Sequence, residues 1–449
     1  MNAIDDRALD PAHADDPAGA QAQLARAAAK TKARAQRQRH RTAPLPPLDY
    51  PLLLTVLGLL GLGCAMVASA AMPIGAQPPY QDPLYFVQRH FFALGLALLA
   101  GGVCFALPSA FWERAGLWLL LGSLLLLALI LVPGIGYTVN GATRWIRLGP
   151  LNLQVSETVK LFAVLYVSGY LVRHGLEVST TLTGFVRPLF WVGSASLLIV
   201  AQPDFGTTAV LLATVLGLLF LGGVPLIHFI VLFGLVVAGL IGLILIEPYR
   251  LARVTSFLDP FADPFASGYQ LSQALIAFGR GEWLGVGLGN GIQKQYFLPE
   301  AHTDFLLATI GEELGLLGVL TVIGAFAFVT WRAFAIGARA RQAGAEFAAY
   351  VAHGIGLLLG LQAFVNAGVN TGLLPTKGLT LPFMSYGSNA LIAAVMAIAI
   401  LLRIDWESRR HNAGTQDSGP LFHHEPQTWR LGARASRPLS RGGMRHDRG

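Results

Sequence analysis

The sequence predicts an all-α integral membrane protein, a polytopic bundle of about ten transmembrane helices with a large extracytoplasmic loop between spans 7 and 8. Of its 449 residues, 54% are hydrophobic and only 13% are charged, whereas soluble globular proteins have about a quarter charged residues. The mean hydropathy is +0.55. The net charge of +7 does not indicate a nucleic-acid partner, because the basic residues concentrate in the two terminal segments.

Ten apolar segments approach the roughly 20 residues that a helix needs to cross a bilayer. Their even number predicts that both termini lie on one side of the membrane. Short connections around Arg114, Arg173 and Arg187 place that side in the cytoplasm, because cytoplasmic loops are rich in Arg and Lys. The predicted spans are 51–72, 86–107, 114–133, 157–173, 187–202, 205–222, 225–246, 304–331, 347–369 and 383–403.

The spans divide the chain into a membrane domain, 49–404, and two tails. The segment 1–48 is a basic cytoplasmic tail that we expect to be disordered, and 405–449 is a cytoplasmic tail rich in Arg and His. Residues 247–303 form the large outer loop, which is too long to be a simple connector.

Charged residues at the outer ends of the spans are candidates for function, since burial of an unpaired charge in a membrane is costly. Glu157 and Lys160 stand three residues apart on one helix face, which favours a structural ion pair. Asp204 precedes the sixth span, where a carboxylate commonly caps the helix. Arginines in the outer loops are suited to bind phosphate oxygens, although lipid head groups would also explain them. These arginines are Arg144, Arg147, Arg250 and Arg253.

The stretch "FLPEAHTDFLLATIGEELG", 297–315, holds four carboxylates, and the last three, Asp304, Glu312 and Glu313, lie at the start of the eighth span. Asp304 is predicted in the first turn, beneath the outer loop, where it either caps the helix or reacts with a substrate. Glu312 lies about 12 Å deeper and Glu313 points the opposite way, so the three acids do not share one site. We expect the deeper pair to pack against Lys160 or against the carboxamides Gln362, Asn366 and Asn370 of the ninth span.

Two further polar stretches lie near Asp304 in the predicted topology. His302 is a second candidate base or a hydrogen-bonding support. The connection 370–389 contains Lys377 and Ser385, and irregular backbone at this depth is tolerated where it lines a cavity.

Long stretches of the sequence resemble the SEDS family (shape, elongation, division, sporulation). They are "NGATRWIRLGPLNLQVSETVK", "QPDFGTT", the run from "PYRLARVTSFLDPF" to "FLPEAHTDFLLATIGEELG", and "FVNAGVNTGLLPTKGLTLPFMSYGS". The resemblance covers about 50–404 and is closer to the division branch of the family than to the elongation branch. Val155 and Ser388 stand where the family usually has Pro and Gly.

The resemblance implies a peptidoglycan glycosyltransferase that polymerises lipid II at the division septum, on the outer face of the bacterial inner membrane. By similarity Asp304 is the catalytic general base, and outward cations steady the departing diphosphate, with Mg²⁺ or Mn²⁺ as a candidate cofactor. Two alternatives stay open, a lipid II flippase and a non-catalytic divisome scaffold. The candidate substrate-binding residues are Arg144, Arg147, Arg250, Arg253, His302, Lys377 and Ser385.

The family resemblance also implies protein partners. The first is a class B penicillin-binding transpeptidase such as FtsI. The others are the divisome proteins FtsQ, FtsL, FtsB and FtsN.

Overall fold

The computed structural model describes residues 47–139, 141–148, 151–246, 257, 259–262, 268–375 and 378–416. Within these residues the chain is a bundle of helices with one small sheet. The helices are α1 Tyr50–Gly75, α2 Tyr85–Ala106, α3 Ser109–Ile130, α4 Val155–Thr180, α5 Leu182–Ala201, α6 Phe205–Leu221, α7 Leu226–Ile246, α8 Tyr269–Gly281, α9 Leu306–Gln342, α10 Glu346–Asn370 and α11 Ser388–Gln416.

The predicted membrane fold is confirmed. Nine helices of the described residues are long and apolar enough to cross a membrane, and α6, with 17 residues, is a shorter apolar helix at the position of the sixth predicted span. α4, α10 and α11 are the most buried of these helices. α11 begins at Ser388, later than the predicted 383, and continues past residue 404 to Gln416. The tails 1–46 and 417–449 lie outside the described residues.

The two ends of the bundle are distinct, and we name them after one residue at each. At the Asp49 end, Asp49 accepts a hydrogen bond from the first turn of α1 and pairs with Arg332 of α9 at 2.7 Å and Arg409 of α11 at 3.5 Å. The start of α1 and the later parts of α9 and α11 therefore meet there. The opposite, Asp304 end holds the sheet, α8 and the segment 378–387 before α11.

A three-stranded antiparallel sheet forms within the loop between α3 and α4. Its strands are β1 Gly136–Val139, β2 Ala142–Leu148 and β3 Leu151–Leu153, in the order β1-β2-β3. This sheet is not among the elements predicted from the sequence. The signal was present, because "YTVNGATRWIRL" alternates β-branched and aromatic residues around Asn-Gly, a strong indicator of a hairpin. The sheet is tied to the start of α11, since the Asn389 amide donates to the Asn152 carbonyl at 2.7 Å.

α9 is interrupted at Gly315, and the segment 282–287 that follows α8 fills the interruption. Gly315 has φ +66° and ψ −167°, and a Cβ there would lie 2.4 Å from the Gly285 nitrogen, so only glycine fits. The interrupted carbonyls and amides of α9 pair with the inserted segment instead of with each other. The four bonds run from Val286 N to Glu312 O, Gly287 N to Glu313 O, Leu316 N to Glu282 O and Leu317 N to Trp283 O, at 3.0, 3.0, 2.9 and 3.2 Å.

Candidate functional site at the Asp304 end

Asp304 lies in a turn two residues before α9, and not in the first helical turn as predicted. Its side chain is half-buried and faces Gly378, an exposed residue. A Cβ on Gly378 would lie 3.1 Å from Asp304 Oδ2. The carboxylate therefore lies where the turn before α9 meets the segment 378–387.

Phe305, and not Asp304, occupies the N-cap position of α9, and the Phe305 side chain makes no capping hydrogen bond. The Ala308 amide in the first turn donates both to Oδ1 of Asn370 and to the Phe305 carbonyl, each at 3.1 Å. A carboxamide from α10 thus supports the first turn of α9, and Asp304 lies one residue before the N-cap position.

Two buried asparagines hold the main chain of Asp304, and we call Asn366 and Asn370 the carboxamide clamp. Their Nδ2 atoms donate to the Asp304 carbonyl at 3.0 and 2.9 Å. Asn366 Nδ2 also donates to the Leu379 carbonyl at 2.6 Å. The clamp therefore joins both walls of the site, the turn with Asp304 and the segment 378–387, to α10.

A third carboxamide continues this polar row one turn earlier on α10. Gln362 Nε2 donates to the Thr380 carbonyl at 3.2 Å, and its Oε1 accepts from Lys160 Nζ at 2.9 Å. Lys160 Nζ also lies 3.0 Å from a carboxylate oxygen of Glu157, and both side chains are buried. The charges of Glu157 and Lys160 thus neutralise each other, and Lys160 also holds the Gln362 side chain in place.

His302 is buried two residues before Asp304. Its ring contacts those of Phe86 and Tyr386, with centroid distances of 5.2 and 5.4 Å, and its carbonyl accepts from the Tyr386 amide at 2.9 Å. Its Nδ1 has no hydrogen-bond partner among the described residues. Burial lowers the pKa of His302, and the nearby Glu300 carboxylate opposes this shift in part.

The buried imidazole predicts an acid-sensitive fold. Because the folded-state pKa of His302 lies below its unfolded value, the unfolded chain binds more protons in acid. The stability that the neutral, buried His302 contributes is present above the unfolded pKa of about 6.5, and it is lost as the pH falls through the folded-state pKa. We expect His302→Phe to lose less thermal stability than wild type between pH 7 and pH 5, measured by fluorescence melting in detergent. Equal losses in the two proteins would contradict this assignment.

Ser385 serves the backbone of the segment 378–387. Its hydroxyl oxygen accepts from the Leu381 amide at 2.9 Å, its own amide donates to the Leu381 carbonyl at 3.1 Å, and the residue is buried. The segment is therefore closed by its own turn, and Tyr386 links it to His302.

The two described arginines of the candidate site lie on β2. Some of the Arg144 guanidinium donors are used by the turn after α5, because Nε donates to the Gln202 carbonyl at 3.0 Å and Nη2 donates to the Pro203 carbonyl. The exposed Arg147 stacks its guanidinium over the Tyr137 ring, 3.4 Å from the centroid. Arg250, Arg253 and Lys377 lie outside the described residues.

The two deeper acids of α9 have different partners from those predicted. Glu312 accepts from the Ile292 and Gln293 amides at 2.8 and 3.1 Å and lies 3.4 Å from Arg280. The partners suggested from the sequence, Lys160 and the carboxamides of α10, are therefore wrong for it. The physical reason is that the loop after α8 folds back onto α9.

Glu313 is also held by this loop, together with α1. It is fully buried and lies 2.5 Å from Lys294 Nζ. The Ser69 hydroxyl lies 2.8 Å from its carboxylate oxygens, and the Gly289 amide donates to it at 3.0 Å. Asp204, in contrast, accepts from the Thr207 amide at 3.3 Å and caps α6 as predicted.

Sequence reasoning missed the role of the clamp and of Lys294. A signal for the clamp was available, since Gln362, Asn366 and Asn370 are spaced four residues apart and form a polar stripe on an apolar helix. For Lys294, the glycine-rich run "GRGEWLGVGLGNG" indicates close backbone approach, but it does not reveal which helix the loop meets.

Known proteins match this chain over most of the described bundle. A family model described as cell cycle protein, for FtsW, RodA and SpoVE, matches residues 50–410. A protein of Allochromatium vinosum named probable peptidoglycan glycosyltransferase FtsW is 66% identical, over 81% of this chain and 91% of its own. A Pseudomonas fluorescens protein of the same name is 48% identical, over 81% and 89%.

Solved structures have the same architecture. One belongs to a peptidoglycan synthase complex that coordinates polymerization and crosslinking. It has a TM-score of 0.66 and 29% identity, and the match covers 80% of this chain and 98% of that one. The rod shape determining protein RodA of Thermus thermophilus has a TM-score of 0.58 and 27% identity, over 80% and 96%. The resemblance predicted from the sequence is thereby confirmed, and the chain belongs to the FtsW/RodA/SpoVE family of cell cycle proteins.

Proposed function

We propose that this protein is a peptidoglycan glycosyltransferase that polymerises lipid II into glycan strands at the division septum, with Asp304 as general base. The observation that supports it best is the Asp304 carboxylate. It is half-buried beside an exposed glycine, and its residue is held through the main chain by two buried asparagines. The family match and the names of the relatives support the reaction class.

One carboxylate suffices for this reaction. In the proposed step, Asp304 accepts the proton of the acceptor 4-hydroxyl, whose oxygen attacks the anomeric carbon of the donor. The bond from that carbon to diphosphate breaks, and the configuration inverts. A glycosidase needs a second carboxyl group as acid because its leaving group is a sugar alkoxide, whereas diphosphate departs as a stable anion.

Cations near Asp304 would balance the charge of the departing diphosphate. Arg147 is exposed on the sheet and suited to this role, while Arg144 is partly engaged by carbonyls. Asp304 faces Gly378, and Lys377 directly precedes Gly378 in the sequence. Arg250 and Arg253 complete the proposed set. Ser385 also belongs to the proposed set, because its hydroxyl oxygen accepts from the Leu381 amide while its O–H remains able to donate to a substrate.

The described residues do not fit a metal held by protein side chains alone, since no three His, Cys, Asp or Glu side chains of the described ranges converge. Mg²⁺ typically binds through one or two carboxylates together with substrate phosphates and water. We therefore derive no step of the reaction through Mg²⁺ or Mn²⁺.

Orientation follows from the distribution of arginines. The described Asp49 end carries Arg332, Arg339 and Arg409, which supports a cytoplasmic location for it under the positive-inside rule. The opposite, Asp304 end would then face outward at the inner membrane of the bacterium.

A crosslinking partner fits this activity. The structurally similar chain comes from a complex that combines polymerization with crosslinking. We propose a class B penicillin-binding transpeptidase of the FtsI type as partner here, within a divisome that contains FtsQ, FtsL, FtsB and FtsN.

The arrangement of buried charge favours polymerisation over lipid II flipping. A flippase needs polar groups along a path through the membrane. Among the described residues the buried Asp, Glu and Lys side chains form two groups, with six in the half of the bundle toward the Asp304 end and two at the Asp49 end. They are Glu157, Lys160, Asp204, Lys294, Glu312 and Glu313, and Asp49 and Asp405.

The direct test incubates the purified protein and its cognate transpeptidase with labelled lipid II in detergent. We expect glycan polymer, resolved by gel electrophoresis. In parallel, liposomes with fluorescent lipid II on one leaflet test for flipping. Flipping without polymer would favour the flippase, and neither activity would favour the scaffold.

Gly378 gives a local test of the geometry around Asp304. An alanine Cβ would lie 3.1 Å from Asp304 Oδ2, closer than such contacts normally are, so the carboxylate must shift. Because misplacement of a reacting group by about 1 Å can cost roughly 100-fold, we expect Gly378→Ala to lower the polymerisation rate about tenfold with unchanged thermal stability. Gly387→Ala is the matched control, since its Cβ would meet the Thr380 side chain at 3.2 Å. Similar rates in both variants would contradict the prediction.

A further inference from the structure

We propose that Asn366 and Asn370, the carboxamide clamp, are positioning residues for glycosyl transfer that hold the Asp304 carboxylate at its working place through the Asp304 carbonyl. This inference rests on the proposed function of Asp304. Neither asparagine touches the carboxylate through any described hydrogen bond, so the clamp acts on the main chain.

The first argument is that the clamp is fully used. An asparagine side chain offers two N–H donors. Asn366 donates to the Asp304 and Leu379 carbonyls, and Asn370 donates to the Asp304 carbonyl and to the Asn366 carbonyl at 2.9 Å. The exposed fractions of the two residues are 1% and 0%. Loss of either side chain removes one of the two bonds to the Asp304 carbonyl and a bond to a second carbonyl, at a position that water does not reach.

The second argument concerns what else positions Asp304. It lies in a turn, not in a helix, and helical hydrogen bonds therefore do not fix its backbone. The same Asn370 side chain accepts from Ala308 N, so one residue sets both the start of α9 and the carbonyl of Asp304. Hydrogen bonds thus fix the turn to α10, which is among the most buried helices.

The third argument concerns the opposite wall. Asn366 donates to the carbonyls of Asp304 and Leu379. Leu379 directly follows Gly378, and it is Gly378 that faces the Asp304 carboxylate. A displacement of the Asn366 amide would move the base and this wall together. The clamp therefore sets the distance between Asp304 and the groups that the segment 378–387 presents to substrate.

The test compares Asn366→Ala and Asn370→Ala with wild type in the lipid II polymerisation assay, at several substrate concentrations and from pH 6 to pH 9.5. We expect kcat to fall about 10-fold to 100-fold with KM within about threefold, because a displaced base affects the reacting geometry and leaves lipid II binding intact. We also expect the rate of the variants to rise with hydroxide over this range, as in Asp304→Ala, because hydroxide replaces the displaced base.

Thr371→Val is the matched control. Its hydroxyl donates to the Ala367 carbonyl at 2.8 Å at the end of the same helix and does not contact Asp304. We expect a rate within about twofold of wild type. Asn366→Thr and Asn370→Thr nearly keep the side-chain volume without burying a charge, and serve if the alanine variants do not fold.

Rates of both asparagine variants within twofold of wild type would overturn the inference, as would a loss that appears only in KM. An active wild type with an inactive Asp304→Ala but active asparagine variants would reject the clamp alone. A wild type without polymerising activity would reject the proposed function as well.

Discussion

Asp304→Asn is expected to lower the rate of glycan polymerisation by about 10²-fold to 10⁴-fold, the range for removal of a general base. The substitution keeps the size of the side chain and the main-chain carbonyl, so the bonds from Asn366 and Asn370 remain. The folded structure should therefore survive, because the main-chain bonds that hold residue 304 do not involve its carboxylate. The measurement is the initial rate of lipid II consumption by purified protein in detergent, together with its melting temperature.

Asp82→Asn provides the control for this loss. Asp82 lies in the turn between α1 and α2 and accepts from the Leu84 amide at 2.9 Å, so it is a carboxylate of the same end with a purely local bond. Its variant should keep its rate within about twofold. If Asp304→Asn retained a third of the wild-type rate, Asp304 would not be the base. His302 would remain as the next candidate, although its Nδ1 is buried beside aromatic rings.

Lys294→Met is expected to destabilise the protein by about 3–5 kcal/mol, the cost of leaving one partner of a buried ion pair without the other. Lys294 is 4% exposed and Glu313 is 0% exposed, and their atoms lie 2.5 Å apart. Methionine retains the length and the apolar stem of lysine but leaves the Glu313 charge to Ser69 and the Gly289 amide alone. The measurement is the shift of the thermal unfolding midpoint in one detergent at constant pH.

Arg187→Met is the matched control for the lysine variant. Arg187 pairs with Glu177 at 3.5 Å, but the side chains are 64% and 51% exposed. Exposed pairs contribute at most about 1 kcal/mol, so we expect a small shift. A midpoint for Lys294→Met that is no lower than that of Arg187→Met would show that the Glu313 site does not depend on the lysine charge.

The helices could be predicted from the sequence because a bilayer requires long apolar runs with internally satisfied backbone. The ends were less predictable. α11 continues through Asp405 to Gln416, since Arg339 and Arg409 pair with Asp405 and stabilise a charged stretch that reads as a tail. The sheet was missed although its hairpin signal is visible, because short strands in a loop compete with a dominant hydropathy pattern.

The candidate site was predictable only in part. Asp304 could be selected because it is an acid at the outer mouth of a span, and the family resemblance pointed to the same residue. Its neighbours could not be derived, because Gly378 and the clamp lie more than 60 residues further along the chain. Spacing along one helix predicts a shared face, as for Asn366 and Asn370, but it does not predict which carbonyl of another segment that face meets.

The interruption of α9 couples the local unfolding of two segments. Because four main-chain bonds around Gly315 join α9 to the segment 282–287, neither of these segments can unfold without breaking the bonds of the other. The amide protons of Val286, Gly287, Leu316 and Leu317 should then exchange with deuterium at a common rate, as one cooperative unit. A partner that seats on the exposed Trp283 or Leu284 would slow that exchange within the membrane helix itself.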